Sequence, residues 1–415
     1  MKLIIIGGGI TGIASALYAK KIGFNNIEIY EKSKRLGGIL QDFKLSDSDS
    51  FLPNCQYFDS KSPIFDVIDK NLFYQFKHSY GSFSNFNQKI ITREDFAGPV
   101  LFSNGKNITI DSDFEEKDVK TYLKSYPNWI SNELINLFQR FSEGESCHPS
   151  CLASVQMQRL YIYDRENEIL NFKSKNSTYD KIYGLPRKSL SLKETYSCLP
   201  IKGFNNLFAE IYKNLLDLNI KVNYSTNLSL NFANNLFELK LKDKTINLSE
   251  DYVIWTADPN KFLQLENPPL SYKPIFIINY YFKTNCFIDE PFYIQVFDLN
   301  TPIIRIFIYE NSIILEALKN NLDEKEIINN ALDIISYYKK NFKQLGFFPN
   351  KIYKRNEQRF TLFSSEVFSK LKDLNLHSFQ KTNLVCTPWH LYSRDLKIKD
   401  IFQKLRLIKE LNLEI

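Results

Sequence analysis

The sequence predicts an α/β protein, α+β overall, in which an N-terminal βαβ unit is joined to a region of antiparallel strands and helices. Three observations predict it. An apolar strand, a glycine turn and a helix open the chain within its first forty residues. The second half carries apolar or alternating runs separated by turns, the pattern of antiparallel strands. Amphipathic stretches with helical spacing recur at Phe204–Leu216, Glu324–Phe342 and Leu396–Leu413.

The opening strand is Lys2–Ile6, an apolar run that suits a fully buried strand. Gly7, Gly9 and Gly12 follow as G-x-G-x-x-G, then Ile13–Lys21 has the spacing of a helix. A second strand, Asn26–Tyr30, ends on Glu31, nineteen positions after the last glycine. In such a Rossmann-like unit each residue has a physical task. Gly7 permits the tight turn, Gly9 lets backbone approach a pyrophosphate, and Gly12 lets the helix pack on the strand. The helix N-terminus presents free N–H groups and a positive dipole end to phosphate. Glu31 can accept hydrogen bonds from a ribose, and its charge repels a 2′-phosphate.

Composition narrows the class. The 415 residues are 44% hydrophobic and 15% aromatic, ample for a buried core and against disorder. A net charge of +6 is small for this length, and the lysines are scattered, so no nucleic-acid surface is expected. No run of eighteen apolar residues predicts a transmembrane helix, and no export signal precedes the first strand. The expected location is therefore cytoplasmic, with Cys55, Cys147, Cys151, Cys198, Cys286 and Cys386 as free, buried thiols.

After Glu31 the chain runs Lys32-Ser-Lys-Arg35-Leu-Gly37-Gly38-Ile39-Leu40. Glutamate followed closely by Arg-x-Gly-Gly resembles the extended nucleotide signature of two-domain FAD flavoproteins. That superfamily includes flavin amine oxidases, protoporphyrinogen oxidase, phytoene desaturases and UDP-galactopyranose mutase. The resemblance implies FAD rather than NAD, and a Rossmann-like FAD-binding domain with an inserted antiparallel-sheet and helical substrate domain. It implies cofactor contacts at Gly7, Gly8, Gly9, Thr11, Gly12, Glu31, Lys32, Arg35, Gly37, Gly38 and Ile39. Val222, on the strand after the Phe204–Leu216 helix, matches the family position whose backbone pairs with adenine. Thr256, in Asp251–Pro259, matches the family strand that ends in Thr-Ala-Pro, with Asp258 inserted before the proline.

Two segments depart from the pattern. Phe51–Phe58 stands where these families carry a glycine-rich stretch with His, but Pro53 and Asn54 replace glycines. Cys386–Asp395 lacks the glycine and acid that close over the cofactor, leaving His390 and Arg394 as candidate replacements. His390 is also the weak candidate for a catalytic base. Other chemistry-bearing features have plainer readings. Cys147-His-Pro-Ser-Cys151 lacks a fourth ligand for a metal and reads as a loop joining helices. Glu94–Pro99 reads as a turn, and Tyr183–Arg187 as a further landmark. The basic residues Lys397, Lys399, Lys404, Arg406 and Lys409 read as a solvated helix face, with peripheral membrane contact as the lesser alternative. Tyr280, Tyr281, Tyr293, Arg305 and Tyr309 are candidates to line the floor of a substrate pocket.

The expected division is 1–75 with 195–262 and 380–415 as a discontinuous FAD-binding domain. Residues 76–194 form a helical capping part and 263–379 the antiparallel-sheet substrate domain. The expected activity is hydride transfer from a C–N or C–C bond of a small molecule to flavin. Alternatives are a nucleotide-sugar mutase without net redox, although Ile39-Leu40 replaces the polar pair usual there, and a degenerate nucleotide-binding member without turnover.

Overall fold

The computed structural model describes residues 2–45, 50–54, 56–77, 79–84, 90–92, 118–124, 128–160, 196–226, 228–233, 236–241, 244–246, 251–337, 351–381 and 383–411. Glu94–Pro99, Tyr183–Arg187, Cys55, Pro127, Tyr338–Phe342 and the side chain of Cys286 lie outside them. In chain order come β1 (Leu3–Ile6), α1 (Ile10–Lys21), β2 (Ile27–Tyr30), β3 (Phe43–Lys44), β4 (Ser50–Phe51), β5 (Phe58–Asp59), β6 (Phe73–Lys77), β7 (Ser79–Ser84) and β8 (Ile90–Thr92). Helices α2 (Val119–Leu123), α3 (Asn128–Ser142) and α4 (Cys151–Ser154) follow. Next are β9 (Tyr196–Pro200), α5 (Gly203–Asp217), β10 (Lys221–Asn223), β11 (Leu228–Ala233), β12 (Leu236–Leu241), β13 (Lys244–Ile246), β14 (Tyr252–Trp255) and α6 (Asn260–Leu263). The chain ends with β15 (Lys273–Phe297), β16 (Ile303–Leu318), α7 (Glu324–Ser336), β17 (Tyr353–Leu362), α8 (Ser365–Lys381), β18 (Leu384–Cys386) and α9 (Arg394–Leu411).

The chain divides into two units. The first comprises Met1–Tyr74, Cys198–Tyr272 and Glu366–Ile415. Its parallel sheet runs β10-β2-β1-β14-β18, which puts β1 at the centre. That position explains the apolar run: Leu3, Ile4, Ile5 and Ile6 are each at most 1% exposed. Helix α1 is buried along most of its length, and Tyr18 stacks on Phe402 of α9 with ring centroids 3.9 Å apart. A separate antiparallel sheet, β11-β12-β13, and the short antiparallel pair β3-β4 also lie in this unit.

Residues 263–272 and 366–379, which the sequence places with the substrate domain, fall in this first unit. The contacts give the reason. Phe262 packs on Trp255 and Trp389, and the Tyr272 hydroxyl bonds Asp258 at 2.9 Å. From α8, Asn375 Nδ2 donates to Cys386 O at the end of β18. A chain segment follows its packing, and neither set of contacts has a local sequence signature.

The second unit comprises Gln75–Ser197 and Lys273–Ser365. Its sheet runs β16-β15-β7-β8, with β17 also paired to β15. The expected run of separate strands is corrected here. Ile275–Phe282 and Phe292–Phe297 are one strand with register shifts between Lys283 and Phe292, and Ile303–Tyr309 and Ser312–Leu318 are another. Bulges absorb the polar interruptions that read as turns, and Glu310 takes a φ of +51°. β7 and β8 add to this sheet, so the 76–194 segment is more than helical.

One face of the sheet packs on α7 through Phe292, Ile294, Ile306, Leu315 and Ile328. Tyr280 belongs to that core, so it cannot line a floor on the opposite face, where Tyr293 and Arg305 lie. Helix α3 reaches the sheet through Arg140, whose guanidinium donates to Asp298 O, Thr301 O and Ile303 O. No described helix is long and apolar enough to cross a membrane.

Candidate dinucleotide-binding site

The first unit builds a glycine turn at the end of β1, open beside Gly9. Gly7 leaves the strand at φ +106°, a left-handed backbone that side chains rarely adopt. Its N–H donates to Tyr30 O at 2.9 Å. Gly12 is fixed by contact instead: a Cβ there would lie 2.0 Å from Gly7 O. A Cβ on Gly9 would meet nothing within 4 Å, so that side of the turn is open. Gly9 also caps α1 without any side-chain hydrogen bond, and the first turn holds no acid. The orphan N–H groups at Ile10, Thr11 and Gly12 are thus left for solvent or a ligand, with the positive end of the helix dipole behind them. This donor set suits an anion.

Glu31 is 7% exposed and ties the turn to β2. Its Oε2 accepts from Gly8 N–H at 2.6 Å and its Oε1 from Ser33 N–H at 2.7 Å. Each carboxylate oxygen keeps a further lone pair. The following loop folds back onto the turn: Gly37 N–H donates to Gly8 O at 2.9 Å, and Gly9 and Gly37 form a parallel bridge. A Cβ on Gly37 would lie 2.5 Å from the Phe208 ring of α5, so this glycine is required by packing. Lys32, Arg35, Gly38 and Ile39 are exposed, Ile39 by 53%.

Thr256 locks β14 to the same turn. Its Oγ1 lies within donating distance of Ile6 O (2.9 Å) and Gly7 O (3.2 Å). Val222 lies beside Ile29 on β10, the edge strand of the sheet. Gly7, Gly8, Gly9, Gly12, Glu31, Gly37, Gly38 and Thr256 are therefore brought into one cluster.

A family model described as an NAD(P)-binding Rossmann-like domain matches residues 5–70. No curated protein matches the sequence significantly. Solved structures match nearly its whole length. A reduced UDP-galactopyranose mutase aligns with a TM-score of 0.64 and 12% identity, over 99% of this chain and 94% of that one. A protein provisionally assigned as a protoporphyrinogen oxidase, from Exiguobacterium sp. 255-15, aligns at 0.58 and 11%, over 98% of both chains. A putrescine oxidase variant aligns at 0.55 and 13%, over 99% of both. The chain has the fold of the FAD-dependent amine oxidase-like superfamily. Identities of 11–13% carry the fold and leave the chemistry to the residues.

The two segments that depart from the superfamily pattern meet each other. Arg394, at the start of α9, donates to Gln56 Oε1 at 2.7 Å and lies over the Phe58 ring at 4.7 Å. Beside it, Ser62 Oγ donates to Asp395 at 2.6 Å. Asn54 is 1% exposed at φ +53°, a conformation that Asn tolerates in place of Gly. The loop after β18 is latched to β14 by Thr387 Oγ1 on Trp255 O and Trp389 Nε1 on Ala257 O, both 2.9 Å.

His390 sits in that loop, edge-on to Phe368 at 5.6 Å, with Lys372, Lys397, Asp400 and Lys404 as its charged neighbours. Burial draws its pKa down to about 4. It is a neutral and weak base near pH 7, and any stability from burying it neutral fades as pH falls below about 6.5. The basic face expected on the last helix is partly used up internally. Lys404 pairs with Asp400 at 3.0 Å, Arg406 bonds the Tyr18 hydroxyl, and Lys409 lies over Phe24.

Asp42 is the buried group that residue patterns did not flag. It accepts from the N–H groups of Phe204 and Asn205, capping α5, and Gly203 at φ +77° would clash through a Cβ with its Oδ2. A lone glycine at a helix start was the available signal. Burial raises the Asp42 pKa, its two backbone bonds opposing. The folded state therefore holds a proton above pH 3.8 that the unfolded chain has lost, and stability falls as pH rises through that window. We expect Asp42→Asn, which still accepts at the cap, to flatten this dependence in urea melts. Asp42→Ala should lower stability by about 1 kcal/mol through the lost cap.

Proposed function

We propose that the chain is an FAD-dependent oxidoreductase that oxidises a C–N or C–C bond of a small molecule. The observation that carries the reading is the Gly9–Gly37 bridge. It makes the Arg35-x-Gly-Gly segment, the part that resembles FAD rather than NAD signatures, a wall of the same cradle as the α1 N-terminus. FAD, when bound, would supply the hydride acceptor. The chain's residues would do the rest. Free N–H groups of α1 would take the pyrophosphate, Glu31 would accept from ribose hydroxyls with its remaining lone pairs, and the Val222 backbone would pair with adenine. Arg35 and Lys32, both exposed, would offset phosphate charge.

Flavin absorbance of the purified protein tests this directly. A yellow protein, or one that reconstitutes with FAD, supports the reading. A colourless protein with no affinity for added FAD overturns it and leaves the non-catalytic alternative. Glu31→Ala should weaken FAD binding about tenfold or more, because charge-assisted bonds of this kind are each worth roughly 1.5–3 kcal/mol. Unchanged affinity would refute the ribose role.

A second reading, a nucleotide-sugar mutase acting without net redox, is favoured by the guanidinium-rich face of the second sheet. There Arg159 lies over Tyr293 at 5.0 Å, and Arg305 and Arg359 share Glu316. Bleaching of bound flavin by an amine, without added reductant, supports the oxidase. Turnover of UDP-sugars only after dithionite reduction supports the mutase.

A further inference from the structure

Helix α5 begins at Gly203, and its N-cap residue, Lys202, makes no side-chain cap bond. The acceptor comes instead from the loop that follows Gly38: Asp42 Oδ2 takes the Asn205 N–H at 2.9 Å. Gly203 leaves room for it, since a Cβ there would lie 2.6 Å from Oδ2. Asp42 is 5% exposed, and its Oδ1 is buried with no hydrogen-bond partner among the described residues. A buried carboxylate bonded at one oxygen only is a costly cap, and Ser or Asn would serve the helix alone. Its cost points to a task beyond stability.

The helix placed in this way touches two parts of the first unit. Its Phe208 ring packs on the Arg35-x-Gly-Gly segment, where a Cβ on Gly37 would lie 2.5 Å away. One turn earlier Phe204, 0% exposed, lies 6.0 Å from the Phe58 ring, and the Arg394 guanidinium sits over Phe58 at 4.7 Å. Phe204 and Phe208 stack on each other with ring centroids 6.5 Å apart. The glycine segment is also tied within itself. Gln41 Nε2 donates to Leu36 O at 3.1 Å, and Leu40 N–H to Gly37 O at 3.1 Å. Residues 36–42 are thus held to α5 at two points, Gly37 and Asp42, and to the glycine turn by the Gly9–Gly37 bridge.

We propose that Asp42 is a positioning residue for the cofactor. It fixes the first turn of α5, and through Phe208 and Phe204 that turn sets the Gly37–Gly38 segment and the Phe58–Arg394 pair relative to each other. The role rests on the FAD reading above and deepens it. Asp42 acts through the two rings and does not itself touch FAD. Without the cap the start of α5 frays, as uncapped helix ends do. The Phe208 ring then no longer backs Gly37, and the Gly-Gly segment loses its fixed place beside Gly9. The α1 N-terminus is left to hold the pyrophosphate with one wall loose, so the loss falls on cofactor affinity as well as on stability.

Calorimetric titration of the full chain with FAD, at a temperature where circular dichroism shows each variant folded, tests this. Asp42→Ala should raise the FAD dissociation constant about fivefold, the factor that a lost cap of about 1 kcal/mol corresponds to. Asp42→Asn keeps an acceptor at the cap and should bind within about twofold of the wild type. Asp323→Ala is the control: it removes the cap of α7 in the second unit, where Asp323 Oδ1 accepts from Glu326 N–H at 2.8 Å. It should cost comparable stability and leave FAD affinity unchanged. Phe208→Leu should weaken FAD by itself, and adding Asp42→Ala to it should cost less than Asp42→Ala alone, because the ring that carries the effect is gone. If Asp42→Ala does not fold, Asp42→Ser, shorter and still polar, takes its place in each comparison. Wild-type affinity in the Asp42 variant, an equal loss in Asp323→Ala, or additive losses with Phe208→Leu overturn the proposal. A wild type with no affinity for FAD overturns the FAD reading itself, so the two failures are told apart.

Discussion

Gly12→Ala is expected to abolish the cradle. Its Cβ would sit 2.0 Å from Gly7 O and 2.9 Å from Thr256 Oγ1, and the nearest clashing atom is backbone that cannot rotate away. Either α1 shifts off β1 or the Gly7 turn opens. Both displace the N–H groups proposed to take the phosphates. Overpacking of a rigid core costs up to about 3 kcal/mol and occasionally more, and this position belongs at that upper end. Denaturant melts should show the loss, and added FAD should not restore it. Combining the change with Thr256→Ala relieves only the side-chain contact, so the double variant should remain destabilised. Recovery by the double variant would mean that Gly7 O is not the obstacle. Gly9→Ala is the contrast, because its Cβ meets nothing: it should fold normally and lose ligand affinity alone.

Glu316→Gln is expected to destabilise the second unit by about 3–5 kcal/mol, as loss of one partner from a buried ion pair does. Glu316 is 0% exposed and is shared by two guanidiniums, Arg305 Nη1 at 3.2 Å and Arg359 Nε at 3.3 Å. Arg305, itself 1% exposed, also donates from Nε to Gln295 Oε1 at 3.2 Å. The amide cannot balance these charges and presents its own N–H groups to donors. Replacing Arg305, Glu316 and Arg359 together by Met or Leu should recover most of the loss, because no buried charge is then left without its counterion. Urea unfolding followed by tryptophan fluorescence and circular dichroism checks both variants. If Glu316→Gln alone is neutral, the arginines are solvated and the face is more open than this packing implies.

The cofactor half of the fold was legible because its physics is local. A glycine at a left-handed turn, a helix N-terminus and an acid ending the next strand are all specified within forty residues. The structure brings Gly7, Gly12, Glu31 and Gly37 together as that pattern requires. Helix α5 was similarly readable, its buried Leu207, Phe208, Ile211 and Leu215 being the face that periodicity predicts. On α9, Ile401, Leu405 and Ile408 are buried as expected, but Leu411 is 53% exposed because the helix ends there.

Other features depended on partners distant in sequence. Asp42 accepts from the helix N–H of Asn205, 163 residues away, and Arg394 reaches Gln56 across 338. Polar breaks at 283–292 read as turns, yet pairing with β16 carries one strand through them with register shifts. The sequence by itself determined that a dinucleotide cradle forms and where, because backbone conformation and helix polarity are encoded residue by residue. Only the tertiary structure decided which buried groups face one another: Arg394 with Gln56, and Arg305 and Arg359 with Glu316. Charge pairing depends on distance and burial, and those are set when segments far apart in sequence pack together.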